Sequence, residues 1–408
     1  MPILGFLQSQ SLAARAFFVL LIAVTVAALK EPIFPANGYF PIDFKYFWLS
    51  GQLWLDGVVP YGEAFGVLGA EAFPGEKVNP FFYPPNWWPL AALTALTDAR
   101  TAENLWALAS AAALAIATWQ VTGLSQVARL AIGRWRLFAL VLFGMVVFSH
   151  SATIALHIGQ PTLFLLCAFT SLLIGLRDQN RTLLTLALVF LLLKPQFSLP
   201  LAFALFVCIS WARIPVLIAG AITGVLALIG LGFSAPVETF SQFLANVALY
   251  NTFPENWPIH MGGPLFAFAL LGLPELSAFV WLALCFLSVL MIAGMARARK
   301  LDLDQSARSV DLAILVAALT IFLMPTHNPD TLLVMPALLL LERAQVRERI
   351  MLLVGTTLLM RAFSLSTMLE GFIFAEKTVW VGLLDTVGTL FLALACAPLF
   401  LRSRSVQT

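Results

Sequence analysis

The chain has 408 residues, 61% of them hydrophobic and only 11% charged, with a formal net charge of +2 at pH 7. Apolar runs recur along its whole length, which excludes an ordinary soluble globule and points to a polytopic membrane protein. The basic residues are scattered in small groups between those runs, so they form no basic face for nucleic acid.

Arg15 precedes a first apolar run at 16–29, read as a retained span with the N-terminus cytoplasmic. A long first outer loop, 30–103, follows. Within it PIDFKYFWLSGQLWLDGVVPYG, residues 41–62, sets one early acid, Asp43, among aromatic residues. From Phe44 to Asp56 the spacing puts Lys45, Gln52 and Asp56 on one helical face, which predicts an interfacial helix with Asp43 at its N-cap and Gly57 as its stop. A carboxyl at such a place is costly to desolvate and needs a partner or a task; capping is one, proton abstraction another. The next segment, FFYPPNWWPLAALTAL, has a double proline and paired Trp87 and Trp88, which suit a dip into the membrane surface better than a crossing.

With that dip, the basic turns beginning at Arg129, Arg177, Arg213, Arg297, Arg343 and Arg402 all fall on the cytoplasmic side. Further spans then run near 104–123, 137–156, 160–176, 182–195, 197–211, 214–233, 276–296, 309–325, 330–342, 349–366 and 379–401. The expected fold is an all-α integral membrane bundle of about twelve transmembrane helices, one domain over 1–408, with a second outer loop at 234–275.

Two hairpins stand out. The run 182–211 has basic flanks, Arg181 and Arg213, so it should cross and return, although each arm of about 14 residues falls short of the roughly 20 that a full crossing takes. Its tip, Lys194-Pro195-Gln196, is expected below the outer surface. The run 310–341 reads alike, with PTHNPD, residues 325–330, as its tip. Polar, non-helical backbone at that depth is tolerated only where it lines a cavity, so Lys194 and His327 are expected to face one recess beneath the first loop.

Asp43 with Tyr46, then Gly57, Pro60-Tyr61, Tyr83-Pro84-Pro85, Trp106, Gly159-Gln160, Lys194-Pro195 and the turn at His327 follow one another in an order that resembles glycosyltransferase family 87. The resemblance spans about 40–345 and implies a polytopic helical fold of the GT-C type. It implies a polyprenyl-phosphate-linked sugar donor, mannose in that family, an essential acid matching Asp43, and a functional histidine matching His327. Tyr46, Tyr61, Tyr83 and Gln160 enter as substrate-binding positions on the same ground. The chain departs from the family where Pro161 follows Gln160 and where the histidine turn carries a single His.

Transfer from a lipid phosphate needs a base for the incoming hydroxyl and a stabiliser for the departing phosphate. Asp43 is the candidate base; Lys194, His327 and, near the outer end of its span, Arg361 are candidates for the phosphate. One base serves a direct, inverting displacement, in contrast to the two carboxylates of a hydrolase. Simpler alternatives are a snorkelling Lys194 and a satisfied core His327. Asp302-Leu303-Asp304 has the shape of a metal-binding DxD, but it lies among Arg297, Arg299, Lys300 and Arg308, where acids balance charge. No metal or other cofactor is expected. The four cysteines form no CxxC pair. Expected partners are the lipid-linked donor, a glycolipid or glycan acceptor and the bilayer, in a bacterial plasma membrane with the site on the non-cytoplasmic side. A transporter or flippase of lipid-linked sugars is the rival reading, because intramembrane polar groups also mark substrate paths.

Overall fold

The computed structural model describes residues 41–125, 149–232, 235–370 and 376–402; the predicted span 16–29 and most of 137–156 lie outside them. The helices are α1 Ile42–Leu55, α2 Glu63–Ala72, α3 Trp88–Thr94, α4 Ala99–Ser125, α5 His150–Ile158, α6 Thr162–Arg177, α7 Arg181–Leu191, α8 Pro195–Cys208 and α9 Arg213–Gly230. After these come α10 Pro236–Ala248, α11 Pro264–Leu270, α12 Ala278–Ala298, α13 Ser306–Leu323, a 3-10 helix Asn328–Glu342, α14 Val346–Leu369 and α15 Lys377–Leu401. Among the described residues there is no strand, only an isolated antiparallel bridge between Gly262 and Thr326. Among the described residues five helical stretches are long and apolar enough to cross a membrane: Ala99–Val121, Ser210–Gly230, Phe279–Ala298, Ser306–Leu323 and Lys377–Leu401.

Local chemistry sets the breaks. Ser149 and Asn180 accept the backbone N–H of Ala152 and Leu183 at the starts of α5 and α7, and Gln345 with Glu348 makes a reciprocal capping box on α14. At the centre is the 3-10 helix, apolar nearly all round and correspondingly buried from Asn328 to Leu338. It packs against α5, α6, α13, α14 and α15. On the periphery, α9 exposes Ile214, Leu217, Ile218, Ile222, Val225 and Leu228, a face suited to lipid.

The two hairpins differ more than their sequences suggest. The arms α7 and α8 have 11 and 14 residues, about 16 and 21 Å at 1.5 Å per residue, so the Lys194 tip stops short of a hydrocarbon thickness of about 30 Å. In the second hairpin the return arm is a 3-10 helix of 15 residues. At about 2.0 Å per residue it covers about 30 Å, matching an outgoing arm of about 27 Å. Pro336 within it has no N–H for an α-helical ladder. The tips nevertheless meet, because Lys194 Nζ lies 2.5 Å from Asp330 Oδ1.

At the opposite end the basic turns converge. Arg343 pairs with Asp311 and Arg402 with Glu348, Arg308 and Arg299 donate to carbonyls at the end of α15, and Gln179 donates to the Asp304 carbonyl. Asp304 takes both the backbone N–H and the hydroxyl of Ser210 at 2.8 Å, so this acid of the DxD triplet clasps the turn before α9.

The first loop is more deeply packed than an interfacial reading predicts. Lys45 is buried, donating to Glu76 at 2.8 Å and to the Lys77 carbonyl, while Gln52 donates to the Ala95 carbonyl; of the predicted polar stripe only Asp56 is exposed. Tertiary cover explains the difference, since α2 and α3 close over α1 and leave its polar side chains to bond with loop backbone. A Cβ on Gly51 would stand 2.0 Å from the Ala91 carbonyl oxygen, so only glycine permits this approach of α1 to α3. Trp87, expected at the headgroup level, is fully buried, and its indole N–H donates to Leu193 O at 2.7 Å. With Asn86, which donates to Leu192 O at 3.0 Å, it caps the carbonyls left open at the end of α7. The first loop is thereby fastened over the Lys194 tip.

Candidate active site

Asp43 stands in the first turn of α1, whose N-cap is Pro41. It makes no capping bond, contrary to the sequence expectation, because the helix begins one residue earlier than the acid. The position suits a negative charge through the helix dipole, yet the side chain is left available. Gly159 fixes this helix start from beneath: it ends α5 at φ +71, and a Cβ there would meet Phe44 Cβ at 2.7 Å. The Gly159 carbonyl accepts the Trp106 indole N–H at 2.8 Å, and Phe47 stacks on the same indole at 4.9 Å between ring centroids.

Asp43 is half-buried. Burial pushes its carboxyl up from the usual range to about 7; the Lys194 charge opposes that rise and the Asp330 charge adds to it. A carboxyl that titrates near neutrality is matched to accepting a proton from a hydroxyl.

Lys194, at the N-cap of α8, is buried and held by Asp330. Asp330 Oδ1 also accepts the Thr162 hydroxyl at 2.8 Å, and that hydroxyl lies 3.2 Å from Gln160 Oε1. Gln160 is therefore buried beneath the site. Beneath Lys194 opens an apolar slot lined by Leu165, Phe169, Phe197, Leu201, Ile321 and Leu333.

His327 is half-buried at the tip of the second hairpin. Its Nε2 is 3.0 Å from the Tyr250 hydroxyl and 3.2 Å from Asn256 Oδ1, both contributed by the second outer loop. Tyr83 lies between the groups: its phenol is pushed well up, first by burial and then by the charges of Asp43, Tyr250, Asp330 and Tyr46, so it stays a donor at neutral pH. Tyr46 is buried in the aromatic cluster behind α1. Tyr61, expected to bind substrate, instead donates its hydroxyl to the Tyr83 carbonyl at 2.9 Å and packs on Phe81 and Phe243, bracing the site from behind. Arg361 belongs to α14, and its side chain lies outside the described residues.

Sequence reasoning missed Asp330, Thr162, Tyr250 and Asn256. For Asp330 the signal was present: an acid beside an apolar run calls for a named partner, and Lys194 sits at the other hairpin tip. Thr162, Tyr250 and Asn256 carry no such signal, because ordinary polar residues acquire roles only from what the fold sets opposite them.

The family model of glycosyltransferase family 87 matches residues 81–326. The chain belongs to glycosyltransferase family 87. It is thus a membrane glycosyltransferase, and its long apolar helices are those of an integral membrane protein. The stretch matched to family 87 contains Tyr83, Gln160 and Lys194, while Asp43, Tyr46, Tyr61, His327 and Arg361 fall outside it. No match is found among curated proteins.

Proposed function

We propose that this enzyme moves a hexose, mannose by analogy with the family 87 pattern, from a polyprenyl-phosphate donor to a hydroxyl of a glycolipid or glycan. The observation that carries the reading is that Asp43 lies within electrostatic reach of the Lys194–Asp330 ion pair. Asp43 takes the acceptor proton as the oxygen attacks the anomeric carbon; the bond from that carbon to the phosphate oxygen breaks, its electron pair leaves with the phosphate, and the centre inverts. Negative charge passes from Asp43 to the leaving phosphate. Lys194, within electrostatic reach of the base, stabilises it there, with His327 and Tyr83 as further donors. The displacement as drawn uses no metal ion, the cation at the leaving group being Lys194. We take the site to face the periplasm or cell exterior of a bacterial plasma membrane, away from the basic end of the bundle.

The test is an assay of the purified protein in detergent with radiolabelled polyprenyl-phosphate-mannose and a membrane glycolipid extract, comparing wild type with Asp43→Asn. Label reaching a new lipid only with wild type supports the reading. Transfer retained in the variant removes Asp43 as the base, and absence of transfer by the wild type with donor still bound favours transport.

A further inference from the structure

The proposed mechanism makes no use of Asp385, a buried acid in the apolar helix α15. An acid inside such a helix is costly and calls for a purpose. Its Oδ1 accepts the Asn328 side-chain N–H at 2.7 Å. The other Asn328 amide hydrogen faces the Leu359 carbonyl of α14 at 3.4 Å, and Asn328 Oδ1 accepts the Ser151 hydroxyl of α5 at 2.5 Å. Both amide hydrogens and the oxygen are directed at three separate helices, which fixes its orientation.

Asn328 lies between His327 and Asp330 at the start of the 3-10 helix. In such a helix a residue is turned by about 120° from the next, so Asn328 and Asp330 leave the turn in different directions. His327 goes to Tyr250 and Asn256, Asp330 to Lys194 and Thr162, and Asn328 away from both, to Asp385. Rotation of the turn about its axis is thereby stopped from behind. The neighbouring Thr386 hydroxyl accepts the Gly263 N–H at 2.9 Å, and the Gly262 N–H bonds to the Thr326 carbonyl at 2.8 Å. One turn of α15 therefore holds both the histidine turn and the loop that carries Tyr250 and Asn256.

We propose that Asp385 is a positioning residue that acts through Asn328 to aim His327 at the donor phosphate. The phosphate rests on the function proposed above; the aiming of the turn does not. The bond, rather than the charge, is what the turn requires, so Asp385→Asn, whose amide oxygen still accepts, preserves it, and Asp385→Leu does not.

The experiment uses the full chain in nanodiscs with labelled histidine. The His327 imidazole signal, assigned with His327→Ala, is expected to move in Asp385→Leu and to stay in Asp385→Asn. In the transfer assay, Asp385→Leu raises the donor KM about tenfold, the equivalent of one buried hydrogen bond, with a smaller effect on kcat. Combined with His327→Ala it adds little, because both changes remove the same contact. Ser151→Ala, which keeps the helix and removes the hydroxyl that bonds to Asn328 and lies 3.3 Å from the Leu359 carbonyl, shifts the same signal less and guards against misfolding of the leucine variant. An unmoved His327 signal in both Asp385→Leu and Ser151→Ala overturns the proposal, as does strict additivity with His327→Ala. Should wild type transfer no sugar, the proposed function falls while the imidazole signal still decides the positioning role.

Discussion

The two ends of the bundle both hold charge away from bulk water, and they do so differently. At the basic end buried acids and carbonyls are matched by guanidinium groups: Arg343 has Asp311, Arg402 has Glu348, and Arg308 has the carbonyls that end α15. At the other end Lys45 is matched by Glu76, but the ammonium of Lys194 is bonded to Asp330 while Asp43 feels both of those charges. Balanced charge is what a structural joint needs. An imbalance enclosed by aromatic rings is a reserve that chemistry can draw on, and it keeps a carboxyl poised near neutrality.

The largest effect should come from removing the imbalance. Asp43→Asn is expected to lower transfer by about 10²–10⁴-fold while leaving the protein folded. The carboxyl binds its proton more tightly in the folded state, so its contribution to stability falls as pH rises from about 4 to about 7. The variant should therefore be more stable than wild type at neutral pH, by about 1 kcal/mol once the partial exposure of Asp43 is allowed for. Thermal unfolding alongside the assay checks both.

Next is the pair itself. Lys194→Met strands the buried Asp330 and should cost about 3–5 kcal/mol, seen as a fall in Tm. Adding Asp330→Leu should restore much of that loss without restoring transfer. Recovery of activity in the double variant would show that the pair is only a strut.

A subtler change retunes the base. Asp330→Asn removes a charge that raises the Asp43 carboxyl, so the acid limb of the pH–rate profile, centred near 7 in wild type, should move down by about one unit. A limb that stays in place would sever the electrostatic link between the two acids. The smallest effect belongs to the basic end: Arg177→Gln, at the solvent-facing pair with Asp178, should cost at most about 1 kcal/mol of stability and leave kcat, KM and the pH profile alone. A shifted profile there would erase the contrast between the ends.

Membrane class, the positions of most helices and the pairing of two hairpins were legible in the sequence, since each depends on local apolar length, prolines and flanking charge. Asp43, Lys194 and His327 were legible as polar residues at costly places. The burial of Lys45 and Trp87 was not, because a period of hydrophobicity records which side of a helix is polar and says nothing of what closes over it. Nor was the stretched return arm at Asn328–Glu342, which carries as apolar a run as an α-helix would. Tyr61 reads like the other loop tyrosines until its hydroxyl is seen turned to the Tyr83 backbone. Where polar groups interrupt apolar runs is written in the local order of residues, because the cost of that interruption is local. That Lys194 meets Asp330 and that Asp385 reaches the histidine turn follows from the folded arrangement alone, because each joins segments far apart in the chain whose register no local pattern encodes.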